Sequence, residues 1–181
     1  FCVKAENSCN NFDRSIVYRV KGAKSMQNAD DLEKLIQQNG DTLLRTASAI
    51  LGDAQEAEDV VQETFIKYLE KQPVFENHEH AKAWLLRVTI NSCRSRLRSP
   101  WRRLRAPLLE SYPAPEPQQR VAAEAVLALP PRERAVVHLH YYEGYKTAEI
   151  AALTGEPEGT VRSRLSRARV RLKDMRKEDE L

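Results

Sequence analysis

Leu32, Leu35 and Ile36, followed by Leu43, Leu44, Ala47, Ile50 and Leu51, recur at three- and four-residue steps. That spacing gathers apolar side chains on one face of an α-helix. Gly40 is a weak point within the helix and Gly52-Asp53 its stop. Ala57, Val60, Val61, Phe65, Tyr68 and Leu69 predict a second helix ending before Pro73, whose opposite face carries Glu56, Glu58, Asp59, Gln62, Glu63 and Lys67. After a polar loop from Pro73 to His80, a third helix is predicted from about Ala81 to Arg98. Its two apolar stripes, Trp84/Leu85/Val88 and Leu86/Ile90/Cys93/Leu97, suit the central helix of a small bundle.

Five of the nine prolines then fall between Ser99 and Gln118, at Pro100, Pro107, Pro113, Pro115 and Pro117. Each removes a backbone donor and restricts its predecessor, so no continuous helix crosses this stretch, and it reads as a semi-extended linker. Helical periodicity resumes with Val121 to Leu129, and Pro130-Pro131 sits where a helix start tolerates proline. Val136, Val137, Leu139 and Tyr141 form the next apolar face, stopped by Gly144. Thr147 is the expected N-cap of a short helix from Ala148 to Leu153. A tight turn, Thr154-Gly155-Glu156, leads through Pro157 to a last helix with Val161, Leu165, Ala168 and Leu172 inward. No strand-like alternation survives. The fold class is all-α, two small helical domains over 26–98 and 119–177 joined by a Pro-rich linker over 99–118.

The 181 residues have room for one ordinary domain or two small ones. A composition 41% hydrophobic and 30% charged fits a soluble, helix-rich protein rather than a disordered one. Every apolar run is broken by Arg or Glu too soon to span a bilayer, so no membrane insertion is expected. Cys2, Cys9 and Cys93 form no C-x-x-C pair and no even framework, which argues against a disulfide scaffold or zinc module and for a reduced, cytoplasmic protein. Residues 1–25, starting at Phe1, sustain no period, whereas Met26 opens an acidic amphipathic stretch. Lys21-Gly22-Ala23 can be encoded by a purine-rich ribosome-binding sequence just upstream of a Met codon. Residues 1–25 are therefore expected to be a non-native or translated leader segment, disordered.

The net charge of +3 decides little, but its distribution is uneven. From Lys82 to Arg105 stand Lys82, Arg87, Arg94, Arg96, Arg98, Arg102, Arg103 and Arg105 with no acid among them. From Glu158 to Lys177 eight basic residues face only Glu158 and Asp174. Acids concentrate on the second helix. One basic run is ordinarily a solvated face; two, in separate halves, are the footprint of a polyanion partner. The segment from Thr147 to Lys173 fits a helix-turn-helix, whose second helix enters the major groove. With Val161, Leu165 and Ala168 inward, Glu158, Thr160, Arg162, Ser163, Ser166 and Arg167 point away, available to DNA.

In this order, the segments resemble the extracytoplasmic-function (group 4) sigma factors of bacterial RNA polymerase. Three blocks carry the resemblance: Ala57-Glu58-Asp59-Val60-Val61-Gln62-Glu63-Thr64-Phe65, Ala83-Trp84-Leu85-Leu86-Arg87-Val88 through Asn91, and Gly159-Thr160-Val161-Arg162-Ser163-Arg164-Leu165-Ser166-Arg167-Ala168-Arg169. They are similar to the family's polymerase-binding, promoter-melting and −10-reading, and −35-reading helices, respectively. The resemblance covers about Asp30 to Arg171. It implies a sigma region 2 bundle and a sigma region 4 helix-turn-helix, and a factor that brings core RNA polymerase to specific promoters in an extracytoplasmic or envelope stress response. The partners it implies are core RNA polymerase, promoter DNA and an anti-sigma factor that can hold the protein at the membrane.

On this reading Asp59, Gln62 and Glu63 dock on the core enzyme. Phe75, Asn77, His78, Lys82, Arg87, Asn91 and Arg94 take the −10 strand. Arg87 and Arg94 would hold phosphates there, Asn91 would read a base edge, and the Phe75–His80 loop would capture an extruded base. Thr160, Arg162, Ser163, Ser166 and Arg167 take the −35 duplex. The loop departs from the family at Glu76 and Glu79, and Glu156 and Glu158 place acids beside the −35 helix, where they repel phosphate. Trp84 could stack on a base, but its apolar stripe favours a core position.

His138-Leu139-His140 and the His78/His80 pair lack a further ligand at helical spacing, and Cys93 on its apolar stripe reads as a buried structural thiol rather than a redox sensor. No phosphate loop, H-E-x-x-H or nucleophile elbow is present. No catalysis, cofactor, metal or small-molecule substrate is expected. Two other readings stay open: a stand-alone helix-turn-helix regulator that binds DNA without core polymerase, and a helical adaptor without DNA contact.

Overall fold

In the computed structural model, residues 26–99 and 124–178 are described. The expected leader, nearly all of the linker and the start of the second half lie outside them. Among the described residues every element is helical.

Helix α1 (Met26–Leu51) runs unbroken through Gly40, where an added Cβ would meet only Ile36 Cγ2 at 3.9 Å. The weak point is therefore no break; neighbouring turns carry it. Leu32, Leu43, Ala47, Ile50 and Leu51 are buried, as the spacing predicts. Gly52 stops α1 at φ +70 with its N–H on Ser48 O at 2.7 Å. Asp53 then caps α2 (Ala54–Lys71) by accepting the Glu56 N–H at 2.9 Å. Helix α2 buries Ala57, Val60, Val61 and Phe65.

Helix α3 spans His78–Arg98 and starts three residues earlier than the hydrophobic pattern indicates. The reason is Asn77, whose Oδ1 accepts the His80 N–H at 2.9 Å and caps the helix in a polar stretch where periodicity is silent. Leu85, Leu86, Ile90 and Cys93 are fully buried, while Thr89 and Thr64 share a buried hydroxyl contact of 3.1 Å between α3 and α2.

The second half is described from residue 124, with a helical turn over 124–128. Helix α4 (Pro131–Val137) continues into a wider π-turn at His138–Tyr142, a bulge the apolar spacing does not reveal. Helix α5 spans Thr147–Thr154. Its N-cap is Lys146, one residue before the expected Thr147, because the Glu149 carboxylate takes the Lys146 N–H at 2.7 Å. Gly155, at φ +66, ends α5, and α6 (Glu158–Glu178) follows Pro157.

The halves share one hydrophobic core, in which α1 packs on α4 and α3 on α5. Arg134, 8% exposed, ties them: it donates to Ile50 O at 2.9 Å at the end of α1 and to Leu127 O at 2.7 Å.

Candidate functional site

Helices α5 and α6 make the helix-turn-helix. Val161 and Ala168 are fully buried and Leu165 nearly so. The helical period therefore leaves Arg162, Ser163, Ser166 and Arg167 exposed, with Thr160 half-buried beside them. Arg162 Nε lies 3.7 Å from Glu158 one turn back, and Ser163 donates its hydroxyl to Gly159 O at 2.8 Å, leaving the oxygen outward. Arg167 and Arg171 lean towards the Glu133 carboxylate of α4, at 3.9 and 3.3 Å.

Of the two acids that would oppose phosphate, Glu156 is drawn to other partners, whereas Glu158 stays at the edge of that face beside Arg162. Glu158 accepts the Thr147 hydroxyl at 2.7 Å. Glu156 lies between Arg94 of α3, at 3.1 Å, and the nearly buried Arg164 of its own half.

The residues expected at the −10 strand divide into two groups. Phe75 is half-buried within a ring cluster: Tyr68 at 6.1 Å, His80 at 5.5 Å and Trp84 at 5.9 Å between centroids. Trp84 packs at the edge of the core and also presents its ring to Phe75. Asn77 spends its carbonyl on the cap, His78 sits in the first turn of α3, and Asn91 is exposed.

The cations behave differently, because all three meet the second half. Lys82 Nζ stands 5.8 Å over the Tyr145 ring. Arg87 donates to Ala152 O at 2.6 Å. Arg94 donates to Thr154 O and pairs with Glu156. Burial lowers the Arg94 pKa, while Glu156 partly restores it. Burial, reinforced by Glu79, Glu143 and Glu149, pushes Tyr145 up to about 12, so its phenol stays neutral.

On α2, Asp59 is exposed and Gln62 and Glu63 are half-buried along one ridge. Arg96 of α3 reaches it, 3.5 Å from Asp59 and 3.7 Å from Glu63. Lys67 bridges Glu63 at 2.7 Å and Ser92 at 2.9 Å. The ridge is thus partly neutralised by a member of the basic run, a pairing that helix periodicity does not show.

Another contact invisible in the sequence joins α1 to the π-turn. Arg45 is 3.3 Å from the buried Glu143 carboxylate, which lies 3.5 Å from His138, itself stacked on Tyr142. Burial pushes Glu143 up, but the His138 hydrogen bond and the Arg45 charge outweigh it and hold the group below the ordinary carboxylate value. His140 Nδ1 lies 2.9 Å from Tyr145 O. Among the described residues no three acid, His or Cys side chains are grouped to hold a metal, and no helix is long and apolar enough to cross a membrane.

The arrangement is a helical bundle carrying an acidic ridge, followed by a helix-turn-helix with an open basic face, and it has solved counterparts. The Bartonella quintana sigma factor RpoE, in its complex with the anti-sigma factor NepR, superposes with a TM-score of 0.70 at 28% identity, over 81% of this chain and 97% of that one. Family models for Sigma-70 region 2 and Sigma-70 region 4 match residues 35–103 and 119–172. The ECF RNA polymerase sigma factor SigL of Mycobacterium tuberculosis is 34% identical across 81% of this chain and 89% of its own length. SigM of the same organism is 30% identical across 77% and 74%.

This chain belongs to the ECF RNA polymerase sigma factors. Its role is promoter-specific transcription initiation with RNA polymerase, and its helix-turn-helix serves that role rather than a stand-alone regulator. Sigma factors are non-enzymatic initiation factors.

Proposed function

We propose that the chain divides promoter recognition among three surfaces and has no catalysis of its own. Asp59, Gln62 and Glu63 dock on core polymerase. Phe75, Asn77, His78, Lys82, Arg87, Asn91 and Arg94 hold the opened −10 strand, and Thr160, Arg162, Ser163, Ser166 and Arg167 read the −35 duplex. On this reading residues 26–98 act as region 2, 119–177 as region 4, and 99–118 link them.

The observation that carries the assignment is the open face of α6, where two arginines and two serines stand side by side outside the inward Val161, Leu165 and Ala168. Arginine forks suit guanine edges and phosphates, and hydroxyls suit either. The Phe75 ring cluster supports base capture, since an extruded base needs stacking partners to offset unstacking.

The solved relative bound to an anti-sigma factor supports a partner of that kind for this chain, acting in the cytoplasm and sequestering it until an envelope signal arrives. Transcription from fragmented genomic DNA tests the reading. Core polymerase with this protein should initiate at a limited set of starts that core alone does not use; an unchanged start profile would refute it.

A further inference from the structure

The last turn of α5 exposes carbonyls that no intrahelical N–H satisfies. Gly155 and Glu156 N–H groups take Ala151 O. The others that bond outside the helix do so to α3: Ala152 O accepts Arg87, and Thr154 O accepts Arg94. A helix C-terminus carries partial negative charge, and Glu156 adds a full one beside it. Arg94 therefore meets a carbonyl and a carboxylate together, and Arg164 supports Glu156 from behind. Seven residues apart on a helix, Arg87 and Arg94 lie nearly on one face, spaced to follow a strand. What they meet here is a row of oxygen acceptors, which is also what a phosphate backbone offers. Meanwhile Arg162, Ser163, Ser166 and Arg167 stay exposed.

We propose that this seam is a built-in mask: the C-terminal turn of α5 and Glu156 occupy Arg87 and Arg94 as surrogates for DNA phosphates. The closed chain then engages the guanidinium donors of the exposed Arg87 and the half-buried Arg94 while its duplex-reading face is open. The inference rests on the assignment of Arg87 and Arg94 to the −10 strand. Because only the open form can take single-stranded DNA, the apparent affinity for it falls in proportion to the open fraction. Reciprocally, single-stranded DNA must open the seam. Glu156 is the removable element, since it is not itself among the residues proposed to contact DNA and meets that surface only through Arg94.

The test places spin labels at Gln55→Cys and Lys173→Cys, both exposed, in the full chain with Cys2 and Cys9 changed to Ser and the buried Cys93 kept. A fluorescent single-stranded DNA of mixed sequence is the ligand. Without DNA the unaltered seam should give one narrow short distance. Glu156→Gln should add a longer population and tighten single-strand binding by up to about tenfold if the open fraction begins near a tenth. Added Arg94→Ala should abolish that gain. Titrating the DNA into the chain with Glu156 intact should produce the same lengthening, which keeps the test independent of how the variant folds. A short distance that persists while DNA binds, or an unchanged affinity in Glu156→Gln, overturns the mask. Promoter-dependent transcription with core polymerase, run on the same samples, separates this from the functional reading. If transcription proceeds while the seam fails to respond, only the mask falls; if the seam opens and tightens binding without any directed start, the functional reading falls instead.

Discussion

Arg162 and Asp59 stand at two proposed interfaces, and each can be removed with little harm to the core. Arg162 is exposed and, among the described residues, pairs with Glu158 one turn away at 3.7 Å. Arg162→Ala should therefore leave the melting temperature nearly unchanged. If the guanidinium reads a base edge, discrimination at one −35 position should fall by about 1–3 kcal/mol. Binding to a panel of single-base −35 variants checks this, and an equal loss on every sequence would make the contact one to phosphate. Asp59→Arg reverses a charge that now faces Arg96 across 3.5 Å at a solvent-exposed position, so its stability cost should stay below about 1 kcal/mol. Association with core polymerase should be lost, read by co-migration on size exclusion. Retained co-migration would remove the ridge from the docking surface.

Among the helices, the turn between α5 and α6 is the most constrained. Gly155 holds φ +66, and nothing lies within 4 Å of where a Cβ would be. Gly155→Ala should consequently cost only the conformational penalty of a left-handed L-residue, about 1–2 kcal/mol. Urea unfolding gives the number; a loss well above that range would mean the turn also depends on packing at this point. The capping residues follow similar logic. Asn77 and Lys146 place the starts of α3 and α5 three residues and one residue earlier than expected. Each boundary is set by which carboxyl or amide oxygen reaches an orphan N–H, not by which side chain is buried.

Across the assembled chain, charge pairs link the halves at both ends of the seam. The Arg45–Glu143–His138 contact predicts a pH dependence whose sign follows from the carboxyl. Its pKa in the fold is below the ordinary value, so its stabilisation is complete above the ordinary carboxylate range and is lost as pH falls through the folded value. Thermal melts between neutral pH and about pH 3 should show a steeper acid decline for the unaltered chain than for Glu143→Gln. Parallel declines would mean that Glu143 contributes nothing to the linkage.

How much could be read in advance depended on the range of the interaction. Helix faces are local: Leu43, Val61, Leu85 and Leu165 declare themselves inward by spacing alone, and Arg162 and Arg167 outward by the same count. The all-α class, the helix-turn-helix and the family resemblance were legible for that reason. The Arg96 link to the α2 ridge, the π-turn beside Glu143 and the meeting of Arg87 and Arg94 with α5 were not, because each partner lies on another helix. Glu156 shows the limit most clearly. Linear order puts its charge next to the DNA-reading helix, and folding turns it towards two arginines instead. Amino-acid order thus specifies which faces are apolar, since burial follows periodicity, whereas the choice of partner for each surface charge waits on packing, because Coulomb attraction acts through distances that only the folded chain defines.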